Sequence, residues 1–283
     1  MPNLSPCWTA EPAVPLDARS LALRRLIVRT FVAGGRGHLA SALSLVEILR
    51  VLYDDVLCYA PQDPKWPYRD RCILSKGHGC LALYAVLASK GFFPPRLLRT
   101  FCHSGSLLGG HPEPRLPGVE VATGSLGHGL AIGIGFALHA RHAGAGHRVF
   151  VIVGDGECDE GAIWEGALCA SKHRLSNLTL IIDYNRYQSY GPTAVVQELE
   201  PFAAKWQAFG FATAEVDGHD VAALRAAFAA LPLHPQRPTA LICHTVKGKG
   251  IAEVEHNGQW HHRNRVTREE GQRLLAALEA NDA

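Results

Sequence analysis

VFVIVGDGECDEGAIWEGALCASKHRLSNLTLIIDYNRYQSYG, residues 149 to 191, decides the fold. It opens on a run of apolar β-formers, Val149 to Val153, and stops at Gly154-Asp155-Gly156. Ile163, Trp164, Ala167 and Leu168 then recur at helical spacing. A second apolar run, Leu178 to Ile182, leads into Asp183-Tyr184-Asn185. Strand, tight turn, helix and strand within this length make one βαβ unit. Ligands of an open parallel sheet sit beyond the carboxyl ends of its strands. Asp155 ends one strand and Asn185 the next, so their oxygens face one crevice. A carboxylate beside an amide carbonyl is a hard-oxygen pair, suited to Mg²⁺, Ca²⁺ or Mn²⁺ and poor for zinc. The glycines let backbone approach a ligand closely. The helix start that follows offers free N–H groups to an anion. A divalent ion beside such a helix start implies a diphosphate.

Gly-Asp-Gly alone marks an ordinary turn; the pairing with Asn185 carries the reading. Gly161 falls at the wrong spacing for G-x-G-x-x-G, and Lys247-Gly-Lys-Gly250 lacks the Walker A form.

The whole chain fits around this unit. Its 283 residues can bury a full core. A formal net charge of +2 without a basic run argues against nucleic acid as a partner. The eight cysteines are scattered and none forms C-x-x-C, which reads as reduced thiols in a cytoplasmic protein. No apolar run is long enough for a membrane span. Residues 1–15, rich in Pro, Ser and Thr, read as a flexible arm, and 16–283 as one domain. Helices are expected over Leu16–Val32, over Ala42–Tyr53 with Ser41 as cap, over Leu81–Lys90 and from Pro94 to Cys102. Further helices are expected over Leu126–Arg141, Leu199–Phe209, Asp220–Ala230 and Thr267–Ala280. Strands are expected at Cys72–Leu74, Ala212–Val216 and Thr239–His244. Gly105–Gly124 is a long loop, and Val246–Asn264 is irregular. Strands alternating with helices predict an α/β fold, one doubly wound parallel sheet with helices on both faces.

Five histidines sit in glycine-bounded or chain-end turns: His38, His78, His111, His128 and His261. A single histidine is more often structural than catalytic. These stand in the loops where α/β sheets build sites.

Asp155, Asn185 and these turns together resemble the thiamine diphosphate enzymes, and within them the transketolases. The resemblance runs from about Leu16 to Asn264. Leu74-Ser75-Lys76-Gly77-His78-Gly79, Gly110-His111-Pro112-Glu113, Thr123-Gly124-Ser125-Leu126-Gly127 and Asp217-Gly218-His219-Asp220 match in order. It implies thiamine diphosphate as cofactor, with Mg²⁺ held by Asp155, Asn185 and the Tyr187 carbonyl. Gly154, Gly156, Glu157 and His78 would lie at the diphosphate. Gly124, Ser125 and Leu126 would meet the ring system. His38, His111 and His261 would bind donor hydroxyls and shuttle protons, with His261 also touching cofactor and His262 in reserve. A His titrating near neutrality is matched to that task. His38-Leu39-Ala40 replaces the common His-Pro-Gly, and Gln188-Ser189-Tyr190-Gly191 looks like the transketolases split over two chains. The implied reaction moves a two-carbon ketol unit from a ketose or its phosphate to an aldose. The implied partner is a C-terminal subunit with the pyrimidine-binding domain, in an α₂β₂ heterotetramer. An α subunit of a 2-oxo-acid dehydrogenase, or a ketol transfer to a carrier protein, is the alternative.

Overall fold

The computed structural model describes residues 15–189 and 191–280, so all of the expected N-terminal arm but Pro15 lies outside the described residues. Asp17 starts helix α1 (Ala18–Gly34) by accepting from the Ser20 N–H at 2.8 Å. The single helix expected over Ala42–Tyr53 is instead two, α2 (Leu39–Leu43) and α3 (Val46–Val51), the second running on into a π-helical turn. Ser41 is buried inside α2 and caps nothing. The break falls at Ser44, whose hydroxyl donates to Asp183 Oδ2 at 2.7 Å. Helical periodicity does not encode that contact with the sheet.

Strand β1 (Arg71–Leu74) and helices α4 (Cys80–Ser89) and α5 (His128–His142) follow. Strand β2 (Val149–Gly154), a 3₁₀ turn at Gly156–Asp159, helix α6 (Gly161–Lys172) and strand β3 (Leu178–Tyr184) form the central unit. Helices α7 (Thr193–Val196) and α8 (Phe202–Ala208) lead to strand β4 (Ala212–Asp217). Helix α9 (Val221–Ala229), strand β5 (Thr239–His244) and helix α10 (Arg268–Glu279) complete the described chain. Thr267 and Glu270 close a capping box at the start of α10. The residues before Pro95 do not open an α-helix; Pro95–Thr100 is 3₁₀.

The strands form one parallel sheet in the order β1-β2-β3-β5-β4. Steps from β1 through β3 to β4 run one way across the sheet, and the step from β4 to β5 runs back. Right-handed crossovers therefore place α5, α6 and α8 on one face and α9 on the other. The two apolar cores obey this. Val149, Val151 and Val153 pack with α5, α6 and α8, while Phe150 and Ile152 pack with α1 to α4, α9 and α10. Both faces are covered, as the fully buried β1, β2, β3 and β5 require. The glycine-rich side of α5 turns inward, since a Cβ on Gly133 would meet Val151 Cγ2 at 2.4 Å. After β3 the chain leaves towards α8, and after β5 towards α10. The loops part at the carboxyl ends of these neighbours and open the crevice that such a switch creates. Among the described residues no helix is long and apolar enough to cross a membrane.

Candidate functional site

The crevice is lined by Ser41, Lys76 and His78, by Gly154 to Glu157, by Asn185 and Tyr187 to Ser189, and by Lys247 and His261, with Leu126 at its side. Asp155 stands at the end of β2, 2% exposed, and accepts from the N–H groups of Gly156 at 2.8 Å and Arg186 at 2.5 Å. Arg186 takes a left-handed φ of 60°, rare for a side chain of its size. That twist turns the chain back, so Tyr187 lines the same crevice as Asn185. Asn185 Oδ1 accepts from Tyr187 N–H at 3.1 Å. The helix α6 begins only at Gly161, so the 3₁₀ turn at Gly156–Asp159, rather than an α-helix start, faces the crevice.

Two buried cations stand beside these oxygens. Lys76 pairs with the fully buried Asp183, whose carboxylate also accepts from Ser44 and Thr245. Burial works to raise the Asp183 pKa, but the Lys76 ammonium and these donors hold it below the usual carboxylate value. Lys247, 3% exposed, donates from Nζ to the Tyr187 carbonyl at 2.8 Å. Burial and the Lys76 charge push its pKa down. Burial, then the Asp183 charge, pushes the Asp155 carboxyl up. Ser41 Oγ is buried without a hydrogen-bond partner and lines the same cleft. One carboxylate, one amide oxygen and one carbonyl oxygen fit a hard cation. Two ammonium groups and an unspent hydroxyl fit phosphate oxygens. Among the described residues no group of three His, Cys, Asp or Glu is set for a metal, so softer-metal chemistry has no cage here.

Over this end lies a cluster of imidazoles. The His38 ring is 5.4 Å from His78, 6.1 Å from His111, 5.5 Å from His261 and 4.7 Å from His262, centroid to centroid. His261 also shares a 2.9 Å hydrogen bond with Ser189 Oγ. Four of the five histidines singled out by their turns thus converge. His128 does not: it starts α5, exposed, beside Ser125 Oγ and the Leu126 carbonyl. The expectation of rings titrating near neutrality is corrected. Burial, then His262 and His111, lowers His38 to about 4; burial, then Lys247 and His38, lowers His261 to about 3. His78 lies well below its ordinary value and His111 lies below it, both chiefly through burial. Neutral imidazole offers one donor and one acceptor, which suits sugar hydroxyls.

These depressed values predict an acid-sensitive fold. The unfolded chain takes up these protons first, near pH 6.5. The stability the rings contribute is full above that pH and is lost as pH falls towards about 4 and then 3. Asp155, with its raised pKa, works in the opposite sense, so the comparison is between chains. Melting temperatures of the cofactor-free chain are expected to fall from pH 7 to 5 more steeply than those of a His38→Gln, His261→Gln chain. Parallel curves would refute the coupling.

Glu157 is occupied by the protein itself. It is 2% exposed and accepts from Ser75 Oγ, from Gly127 N–H at 2.9 Å and from Gly154 N–H at 3.2 Å. It thereby ties the Gly154–Gly156 turn to the loop before α5. In that loop Gly124 lies against the His111 ring, and Leu126 reaches the cleft while Gly124 and Ser125 do not line it. Ser41, Lys76, Asp183, Gln188 and Lys247 were not assigned from sequence. Lys76 and Gln188 lay within stretches quoted for the family resemblance, and Asp183 left the signal of a carboxylate at the end of an otherwise apolar strand.

Comparison with known proteins shows the family. Residues 18–274 match the family described as transketolase, thiamine diphosphate binding domain. The chain is 39% identical over 247 residues to one of the subunits of the apulose-4-phosphate transketolase of Phocaeicola vulgatus, covering 87% of this chain and 88% of that one. It is 37% identical over 275 residues to the 6-deoxy-6-sulfo-D-fructose transketolase subunit SqwG of a Clostridium species, covering 97% and 100%. The structure of transketolase from Leishmania mexicana superposes with a TM-score of 0.86 at 30% identity, over 92% of this chain and 40% of that one. A hard-oxygen and ammonium cleft at the switch point, within a family match over most of its length, places the chain in the transketolase family, as a transferase subunit built on the thiamine diphosphate-binding domain.

Proposed function

We propose that this chain, as one domain over residues 16–283, supplies the diphosphate end of a cytoplasmic two-chain transketolase. A divalent cation, Mg²⁺ foremost, would be held by Asp155, Asn185 and the Tyr187 carbonyl. A second chain bearing the pyrimidine-binding domain would complete the site in an α₂β₂ assembly. The observation that carries this reading is the meeting of hard-oxygen donors, two ammonium groups and the His78 and His261 imidazoles at one strand-end crevice, with His38 packed against both rings and His111 against His38. When bound, thiamine diphosphate supplies the electron sink for breaking and making the carbon–carbon bond. The chain's own task is to hold and orient. Lys76 and Lys247 neutralise phosphate charge, while His38, His111 and His261, kept neutral by burial, hold donor hydroxyls through one donor and one acceptor nitrogen each. Two relatives are named for a phosphorylated and a sulfonated sugar, which supports a ketose donor with an anionic end.

The test is the chain mixed with its co-encoded partner and thiamine diphosphate, assayed for ketol transfer from a ketose phosphate to an aldose and for pyruvate decarboxylation. Transfer without decarboxylation is expected. Decarboxylation alone would return the reading to a 2-oxo-acid enzyme, and transfer only to a carrier domain would move the acceptor. Within this reading His111→Ala is expected to lower kcat/KM for the donor by roughly 5- to 150-fold, about 1–3 kcal/mol, while cofactor affinity holds. Equal losses of donor and cofactor would put His111 at the diphosphate.

A further inference from the structure

Asp217-Gly218-His219-Asp220 stands out in the sequence, yet none of its residues lines the cleft. It forms the turn from β4 into α9, and every member has a use. Asp217 Oδ1 accepts from His219 N–H at 2.8 Å, and Asp220 caps α9 through the N–H groups of Ala222 and Ala223. Gly218 packs on the end of β5, where a Cβ would meet Thr245 Cγ2 at 2.4 Å. His219 is 6% exposed and spends both ring nitrogens. Nδ1 bonds Glu47 Oε2 at 2.8 Å, and Nε2 accepts from Val246 N–H at 2.8 Å. An acceptor at Nε2 fixes the neutral tautomer with hydrogen on Nδ1.

Glu47 is fully buried on α3 and is gripped by Arg24 of α1, Nη1 to Oε1 at 2.5 Å and Nη2 to Oε2 at 2.9 Å. The third arm of the same guanidinium, Nε, donates to the Lys249 carbonyl at 2.9 Å. One buried cluster thus holds the chain one residue before Lys247 and two residues after it. Gly248 N–H on the Ala40 carbonyl at 3.0 Å pins the middle. Lys247 is the residue of this segment that enters the crevice.

We propose that His219, acting with Glu47 and Arg24, is a positioning residue for the diphosphate end of the site: it fixes the Val246–Lys249 backbone so that the Lys247 ammonium is delivered to the phosphate oxygens. The proposal rests on the reading of the crevice as the diphosphate site. A long, flexible lysine side chain gives a directed contact only when its backbone is held. Outer partners that orient a ligand-binding group carry a share of the affinity for the same reason.

The test is calorimetric titration of the chain assembled with its proposed second chain, using magnesium pyrophosphate and, separately, thiamine diphosphate plus Mg²⁺. His219→Asn keeps a donor towards Glu47 and loses the acceptor for Val246; it is expected to weaken both ligands about tenfold. His219→Gln keeps an acceptor at the outer position and is expected to recover most of that loss. Arg24→Lys keeps a cation for Glu47 and loses the donor to Lys249, so it tests the other tether should His219→Asn fail to fold. In a Lys247→Met background His219→Asn and Arg24→Lys are expected to add less than a further twofold, because what they position is gone. A full tenfold loss on top of Lys247→Met means that His219 only supports the fold, and overturns the proposal. So does unchanged binding in Lys247→Met, which leaves the cofactor site standing without that lysine. If the unaltered assembly binds neither probe, the reading of the crevice itself fails, and the proposal with it.

Discussion

Asp155→Ala is expected to abolish Mg²⁺-dependent binding of thiamine diphosphate, with a loss beyond about a hundredfold, the upper end for residues merely behind a ligand shell. Asp155 is the carboxylate that ends β2 at the crevice, and Asn185 and the Tyr187 carbonyl are neutral donors. Without it a divalent cation meets dipoles alone, beside two ammonium groups that repel it. The residue also accepts two backbone hydrogen bonds, from Gly156 and Arg186. Alanine therefore loosens the turn as well as removing charge. Asp155→Asn separates the effects, since its amide oxygen still accepts one of those bonds while the charge is gone. Both variants are expected to fold, because Asp155 lies at the crevice, where burial and the Asp183 charge already disfavour its carboxylate. Calorimetry with and without Mg²⁺ reads the result. Cofactor affinity unchanged in both would sink the metal assignment.

The second large effect is catalytic silence of the chain by itself. Turnover is expected to rise by roughly 10²–10⁴-fold or more when the second chain is added, the range a single general acid or base supplies. The acids that line this crevice are spent on the protein's own groups. Asp155 holds the β2 turn, and Glu157 accepts three hydrogen bonds. Neither is free to protonate a ring at the other end of the cofactor. Two large apolar side chains stand exposed on helices of one sheet face. Leu168 is 60% exposed on α6 and Ile132 is 36% exposed on α5. Trp164, one turn before Leu168, is half-buried, stacked 4.8 Å from Trp206 with its N–H on the Cys158 carbonyl. A partner covering α5 and α6 would bury these side chains. Mass measurement of the mixture, followed by a ketol-transfer assay with and without the second chain, tests the idea. Robust turnover by the homogeneous single chain would overturn it.

What the sequence settled by itself was what neighbouring residues decide. The apolar runs before Gly154 and Asn185 are strands because each is short, continuous, rich in β-branched residues and ended by turn residues, and these local features decide where period cannot. A strand end in a parallel sheet implies a crevice, so Asp155 and Asn185 were legible before any contact was known. The histidine turns were legible for the same reason, His128 excepted, since it has the same glycine-bounded look and a different place. Tertiary structure alone decided what depends on partners far along the chain. Lys76 meets Asp183 across 107 residues, and Lys247 meets the Tyr187 carbonyl across 60. No local pattern distinguishes these lysines from solvated ones. The helix break at Ser44 was hidden because its cause, the Asp183 carboxylate, lies on another element. The protonation of the site was hidden as well. Composition gives each histidine its ordinary pKa, and only burial among other cations and imidazoles moves His38 and His261 down, because desolvation disfavours the charged form.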